Sequence, residues 1–248
     1  MKDLAQDVTL QALRVDLAAA FRLAARFDWH ESVGNHFSAA VSEDGRRFLM
    51  NPKWQHFAAI RASDLLLLDV DDPGVMDGPE APDASAWTIH GTLHRARPEV
   101  RVVLHCHPPY ATALAVLKAP ALPPIDMNTA RFYGDLAIDP DCGGIADDAA
   151  EGTRIAAALG ECSTLLMANH GLTCTGTTVA QAFEQLYFFE KAARTVLTAL
   201  GSGQPLGVMS DDVARNTAEG WKAYAGMADA HFAYLKSVLD REAPDYRD

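Results

Sequence analysis

The sequence predicts a layered α/β or α+β domain. Three observations point there. Several stretches place apolar residues at helical spacing, an early pair of short apolar runs reads as a hairpin, and helical segments lie between the later strands.

Taken in order, residues 6–28 read as a helix, with Val8, Leu10, Leu13, Leu17, Ala20, Phe21 and Leu23 at helical spacing. The segment from His30 to Ser38 breaks that pattern and begins a strand. Phe37–Val41 and Arg47–Met50 form a hairpin around Glu43-Asp44-Gly45, and Leu65–Val70 is a third short strand ended by Asp71-Asp72-Pro73-Gly74. Ser85–Ala96 reads as a helix stopped by Pro98, Val100–His107 as a strand, and Pro109–Leu117 as a helix whose proline sits where its missing N–H costs nothing. Residues 118–126 form a Pro-rich loop. Ala146–Leu159 is helical, Ser163–Ala168 a buried strand, and Val179–Leu200 a long helix; a tail from about residue 211 holds one or two further helices. There is no internal repeat and no linker, so residues 1–248 read as one domain.

The chain has 248 residues, 49% of them hydrophobic, which suffices for one sizeable core. Its formal net charge of -12, without any basic run, works against nucleic acid and anionic membrane surfaces. The acidic N-terminal stretch is unlike a signal peptide, and no segment approaches the roughly 20 apolar residues of a membrane span. Four cysteines (Cys106, Cys142, Cys162 and Cys174) without CxxC spacing read as free thiols in a reducing cytoplasm.

The chemistry concentrates in histidines. His105 and His107 end an apolar run, and residues two apart on a strand share a face, so two imidazoles aim at one point. His170 ends a second apolar run, 164–168. Two neighbouring strand ends would then supply three nitrogens to one ion and leave a position open, the pattern of a catalytic metal site. Cys106, facing away from its flanking histidines, should be buried and inert.

Ala84-Ser85-Ala86-Trp87-Thr88-Ile89-His90, then Ala96-Arg97-Pro98-Glu99-Val100, Leu104-His105-Cys106-His107 and Asn169-His170-Gly171 with Gly176 beyond, resemble the core motif of class II aldolase/adducin proteins. Gly34-Asn35-His36-Phe37-Ser38 and Met50-Asn51-Pro52 fit as well, and the likeness runs in order from about residue 10 to about residue 200. The resemblance implies a three-layer α/β/α fold with a central, mostly antiparallel sheet. It also implies a divalent metal, zinc or manganese, on His105, His107 and His170, and a homotetramer with sites at subunit interfaces. The family includes sugar-phosphate aldolases, epimerases, dehydratases, decarboxylases and the cytoskeletal adducins.

Two positions depart from the aldolase pattern. The acid/base glutamate four residues before the histidine matching His90 is here Ala86, and the Thr-Gly of the phosphate loop after Pro52 is here Lys53-Trp54. The resemblance makes the loop with Asn35, His36 and Ser38 part of a substrate pocket, the alternative being ordinary turn chemistry. Lys53, where the phosphate loop would lie, is placed to meet a substrate carboxylate; a solvated surface lysine is the alternative. Arg131 offers a planar fork for a carboxylate, and Tyr133 or His94 a proton. His90 and His94 share a helical face and otherwise read as packing or as support for the metal ligands. His231 and Tyr234 lie in the tail, where surface packing is the plain reading.

Loss of carbon dioxide needs no base to start it, only a proton donor afterwards, which suits a chain without the glutamate. The sequence therefore predicts a cytoplasmic, divalent-metal-dependent lyase that cleaves a carbon–carbon bond of a small hydroxy- or keto-carboxylate, decarboxylation preferred, with the metal acting as Lewis acid toward the enolate. Aldol cleavage of a hydroxy-carbonyl or sugar-type substrate is the alternative within enzymes. A non-catalytic, adducin-like binding or assembly protein is the alternative outside them.

Overall fold

The computed structural model describes residues 2–72, 74–79, 81–141, 143–224 and 226–248, with side chains from Val8 onward. The expectations for Pro73 and Cys142 lie outside the described residues. The first helix, α1 (Lys2–Arg26), buries Leu17, Phe21 and Leu23 and ends just before Asp28, which takes a left-handed backbone with φ 59°. The hairpin forms as expected from β1 (His36–Ala40) and β2 (Arg47–Met50), and β3 (Leu66–Asp69) pairs antiparallel outside β2.

α2 (Ala84–Ala96) starts on Asp83, whose carboxylate accepts the N–H groups of Ser85 and Ala86, and stops before Pro98. β4 (Val102–Cys106) is shorter at both ends than the apolar run suggests, so His105 lies in the strand and His107 one residue beyond it. α3 (Pro109–Ala115) follows, then a short α4 (Met127–Ala130) and β5 (Leu136–Asp139). α5 (Ala149–Leu159) begins three residues later than its apolar pattern, because Asp148 accepts the Glu151 N–H and fixes the start there. β6 (Thr164–Met167) and β7 (Leu172–Gly176) form a tight pair, and α6 (Val179–Gly201) is the long helix expected. The tail divides into α7 (Asp211–Lys222) and α8 (Met227–Glu242) at Gly226, whose φ of 87° suits glycine.

The seven strands run β3-β2-β1-β4-β7-β6-β5, every pair antiparallel except β5 with β6. Alternation sends Phe37, Ala39, Val102, Leu104 and Cys106 into a large core with α1, α3, α6 and α8. Val103, Leu165 and Met167 face the other way, against Ile89 and Leu93 of α2 and Ile155 and Leu159 of α5. The result is the three-layer α/β/α arrangement with a mostly antiparallel sheet. β5 and β7 were absent from the sequence reading, and β7 inserts between β4 and β6. The strands that end near His107 and His170 are therefore second neighbours, and His170 sits in the β6–β7 turn rather than on a neighbouring strand end.

Candidate metal centre and its cavity

The turn that carries His170 is closed by two backbone bonds, Met167 N–H to the Gly171 carbonyl at 2.9 Å and His170 N–H to the Met167 carbonyl at 3.1 Å. Asn169 accepts a left-handed backbone (φ 54°), which asparagine tolerates. Gly171 is required by contact: a Cβ there would stand 2.3 Å from His107 Cδ2 and 2.8 Å from the Cys106 carbonyl. This close approach lays the turn across the end of β4 and brings His170 to His105 and His107. The ring centroids lie 4.8 Å (His105–His170), 4.9 Å (His107–His170) and 5.2 Å (His105–His107) apart. One nitrogen from each of the three rings lies within 4.8 Å of the others.

The groups behind two of the rings decide their tautomers. His107 Nδ1–H donates to the Glu31 carboxylate at 2.6 Å. The Thr173 hydroxyl donates to Met167 Sδ at 3.6 Å, which leaves its oxygen to accept from His105 Nδ1–H at 3.1 Å. Each ring therefore turns a bare Nε2 inward, and the two Nε2 atoms are 3.3 Å apart. Two lone pairs at that distance repel unless a cation sits between them. Two nitrogens on one tetrahedral zinc stand about 3.4 Å apart by the usual bond lengths, so the spacing and the lone-pair directions both fit a metal. His105 and His170 are also held neutral, as ligands must be. Burial, then the neighbouring imidazoles, keep His105 well below the usual histidine range, and burial first, then His107, pushes His170 down to about 4.

The three ligands open on a cavity of about 450 Å³ that Asn35 and His36 also line. Asn35 is left-handed (φ 69°) and its side-chain oxygen accepts the Glu31 N–H at 2.9 Å, so it shapes the loop that brings Glu31 to His107. His36 is buried on β1 with its ring stacked on His105, centroids 4.9 Å apart.

The remaining residues singled out from sequence go elsewhere in the subunit. His94 is fully buried, stacked on Phe48 and bonded to the Ser38 hydroxyl, outside the cavity. Lys53 is exposed, lies over the Trp54 ring at 4.4 Å, and lines a different cleft of about 1080 Å³ beside β2 and β3. Arg131 pairs with Glu184 at 3.3 Å and packs on Phe188; its cleft includes Val100, Ser163 and Gly176, at the end of the sheet opposite the histidines. Tyr133 bonds Asp211, which raises its hydroxyl pKa, and has Arg215 over its ring. Cys106 is buried and its thiol pushed well up by burial. Ala86 lies not in the cavity but among Phe48, Met50 and Leu68.

Sequence reasoning missed two residues. Glu31 is 76 residues from His107, and no spacing connects them. Thr173 was findable, since Leu172-Thr173-Cys174-Thr175 alternates as a strand does and Thr173 is the register partner of His105. Ser38, expected in the pocket loop with Asn35 and His36, lies instead within β1, where it bridges two buried imidazoles.

Three imidazoles at one end of the mostly antiparallel sheet, two of them held by a group behind the ring, form a candidate metal centre in a three-layer α/β/α protein. The sequence matches the description Class II Aldolase and Adducin N-terminal domain over residues 15–197, and the chain belongs to that family. It is 31% identical to a provisionally named aldolase class 2 protein of Caulobacter vibrioides, over 95% of this chain and 91% of that one. It is likewise 31% identical to an adducin-related protein of Schizosaccharomyces pombe (91% and 70% covered). The decarboxylase NovR of Streptomyces niveus is 29% identical (87% and 82%). Among solved structures, an aldolase II superfamily protein from Pseudomonas syringae superposes with a TM-score of 0.87 at 33% identity, covering 96% of each chain. An L-fuculose 1-phosphate aldolase from Glaciozyma antarctica gives 0.83 at 26% identity, covering 98% of this chain and 94% of that one.

Proposed function

We propose that the protein is a divalent-metal-dependent carbon–carbon lyase acting on a small hydroxy- or keto-carboxylate, with decarboxylation preferred. The observation that carries the reading is the pair of bare Nε2 atoms 3.3 Å apart, backed by Glu31 and Thr173 and joined by His170. An all-imidazole set favours zinc over manganese, which prefers oxygen donors. When bound, the ion supplies Lewis-acid polarisation of a substrate carbonyl.

The chain's own residues supply the rest. Glu31 and Thr173 hold two ligand rings in orientation and tautomer. His36 presents a ring nitrogen to the cavity and hydrogen-bonds a substrate oxygen. Asn35 holds the loop that closes one wall. In the proposed reaction the substrate carries its carboxylate beta to the carbonyl: the bond to the carboxylate carbon breaks, carbon dioxide leaves, and the electron pair stays on the carbon between them, conjugated with the carbonyl. A proton from solvent in the cavity then takes the place of the carbon dioxide. No carboxylic base is needed for the first step, which suits Ala86, and a relative is named as a decarboxylase. Lys53, Arg131 and Tyr133 enter this reading as substrate or proton groups only where a neighbouring subunit of a homotetramer brings them to the cavity.

Aldol cleavage is the second reading, favoured by the structural likeness to an L-fuculose 1-phosphate aldolase. The adducin-related relative favours a third, binding without catalysis. Metal content and product analysis separate them. We expect about one divalent ion per chain, lost in a His105→Ala/His107→Ala variant, and release of carbon dioxide from hydroxy- or keto-acids. Aldehyde formation without carbon dioxide would make the protein an aldolase, and a protein that neither holds nor takes up metal would be no lyase.

A further inference from the structure

Beneath the cavity, four buried side chains form an unbroken chain. His36 Nδ1 meets His90 Nε2 at 2.8 Å, His90 Nδ1 meets the Ser38 hydroxyl at 2.5 Å, and that hydroxyl meets His94 Nε2 at 2.7 Å. All four are at most 6% exposed. The secondary structure builds the line: His36 and Ser38 are two apart on β1, His90 and His94 four apart on α2, so each pair shares the face turned to the other. A merely structural seam between helix and sheet would be served more cheaply by apolar side chains. The far end of the line is anchored: the Val100 carbonyl faces His94 and favours a proton on its Nδ1.

A neutral imidazole carries one N–H and a hydroxyl one O–H, so such a chain has only two ordered states, with every donor pointing one way or the other. Fixing any member fixes all. The open end is His36 Nε2, the one polar atom of that ring left to the cavity, since Nδ1 is held by His90. We infer that Ser38 and His90 are positioning residues that lock His36 into one neutral tautomer, with a bare Nε2 presented to accept the O–H of a substrate hydroxy-acid. The inference rests on the reading of the cavity as the substrate site. It also says what α2 contributes in place of a carboxylate at Ala86: its polar group toward the cavity lies one turn on, at His90, and acts through His36.

The test uses full-length, zinc-loaded protein labelled with ¹⁵N-histidine, whose two-bond proton–nitrogen spectra report each ring's tautomer. Wild-type protein should show one neutral His36 tautomer. Ser38→Ala should show both, with unchanged melting temperature or a modest loss and zinc still bound; Ser38→Thr, which keeps the hydroxyl, should restore one. Glycolate binding by calorimetry should weaken about 2-fold in Ser38→Ala, as the competent tautomer falls to about half, and recover in Ser38→Thr. If Ser38→Ala does not fold, His90→Phe carries the same readout. A single His36 tautomer that survives both Ser38→Ala and His90→Phe would overturn the lock. Wild-type protein that shows the expected tautomers but binds no glycolate would support the lock and count against the lyase reading.

Discussion

At the scale of single residues, the site depends on groups that never touch an ion. Glu31 and Thr173 each hold a ring by Nδ1 and so decide that Nε2 faces inward. Replacing Glu31 by Gln should lower zinc affinity by about 10- to 100-fold without changing the fold, as read by competition with a metal indicator. His94 gives a prediction of a different kind. Burial holds its pKa down to about 4, against 6.5 when the chain is unfolded. The folded ring binds fewer protons in that window, so its contribution to stability is complete above pH 6.5 and is lost as pH falls toward 4. The loss amounts to roughly 3 kcal/mol at about 1.4 kcal/mol per pH unit. Urea unfolding of metal-free protein between pH 7.5 and 4.5 should therefore steepen with acid, and His94→Phe should reduce the slope by close to one proton.

At the scale of elements, two joints place the ligands. One is the β6–β7 turn, where Gly171 lets His170 reach the end of β4. Gly171→Ala forces a methyl against His107 and the Cys106 carbonyl, and should weaken metal binding at least 10-fold, about 1.4 kcal/mol, while far-ultraviolet circular dichroism stays unchanged. The other is the start of α3, directly after His107. Its first free N–H groups, Tyr110 and Ala111, donate to the buried carboxylate of Glu190 on α6 at 2.9 and 2.7 Å. Glu190→Ala leaves the buried Ala111 donor and the part-buried Tyr110 donor without this acceptor and should cost about 2–3 kcal/mol of unfolding free energy, the scale of losing bonds to a charged group. Denaturant titration measures it.

At the scale of the whole molecule, the ion would join the end of β4 to the turn beyond β6, across the middle of the seven-stranded order. Binding to the folded state alone should raise stability by about 2.7 kcal/mol at a free zinc concentration 100 times the dissociation constant, visible as a higher melting temperature that the His105→Ala/His107→Ala variant lacks. Most of this architecture was legible in sequence, because the helices and the first strands carry their periodicity openly and the histidines stand at the ends of apolar runs. β5 was not, because four residues after Gly134-Asp135 are too few to show a period. β7 was legible in principle from its alternation but was hidden by the turn before it, and with it went the true spacing between the ligand-bearing strands. Arg131 and Tyr133 lie away from the cavity within one chain because both precede β5, whose parallel pairing to β6 puts its start at the far end of the sheet from His170.

The surroundings of Ala86 have a historical consequence. Its neighbours Phe48, Met50 and Leu68 form an apolar cluster that a carboxylate could join only uncharged or at a cost of several kcal/mol. Restoring the aldolases' glutamate by one codon change would deliver a charge where nothing receives it, and the intermediate protein would fold less well before it gained any chemistry. Several neighbours would have to change first. A glutamate at position 86 is thus compatible with this cluster only if its neighbours change with it.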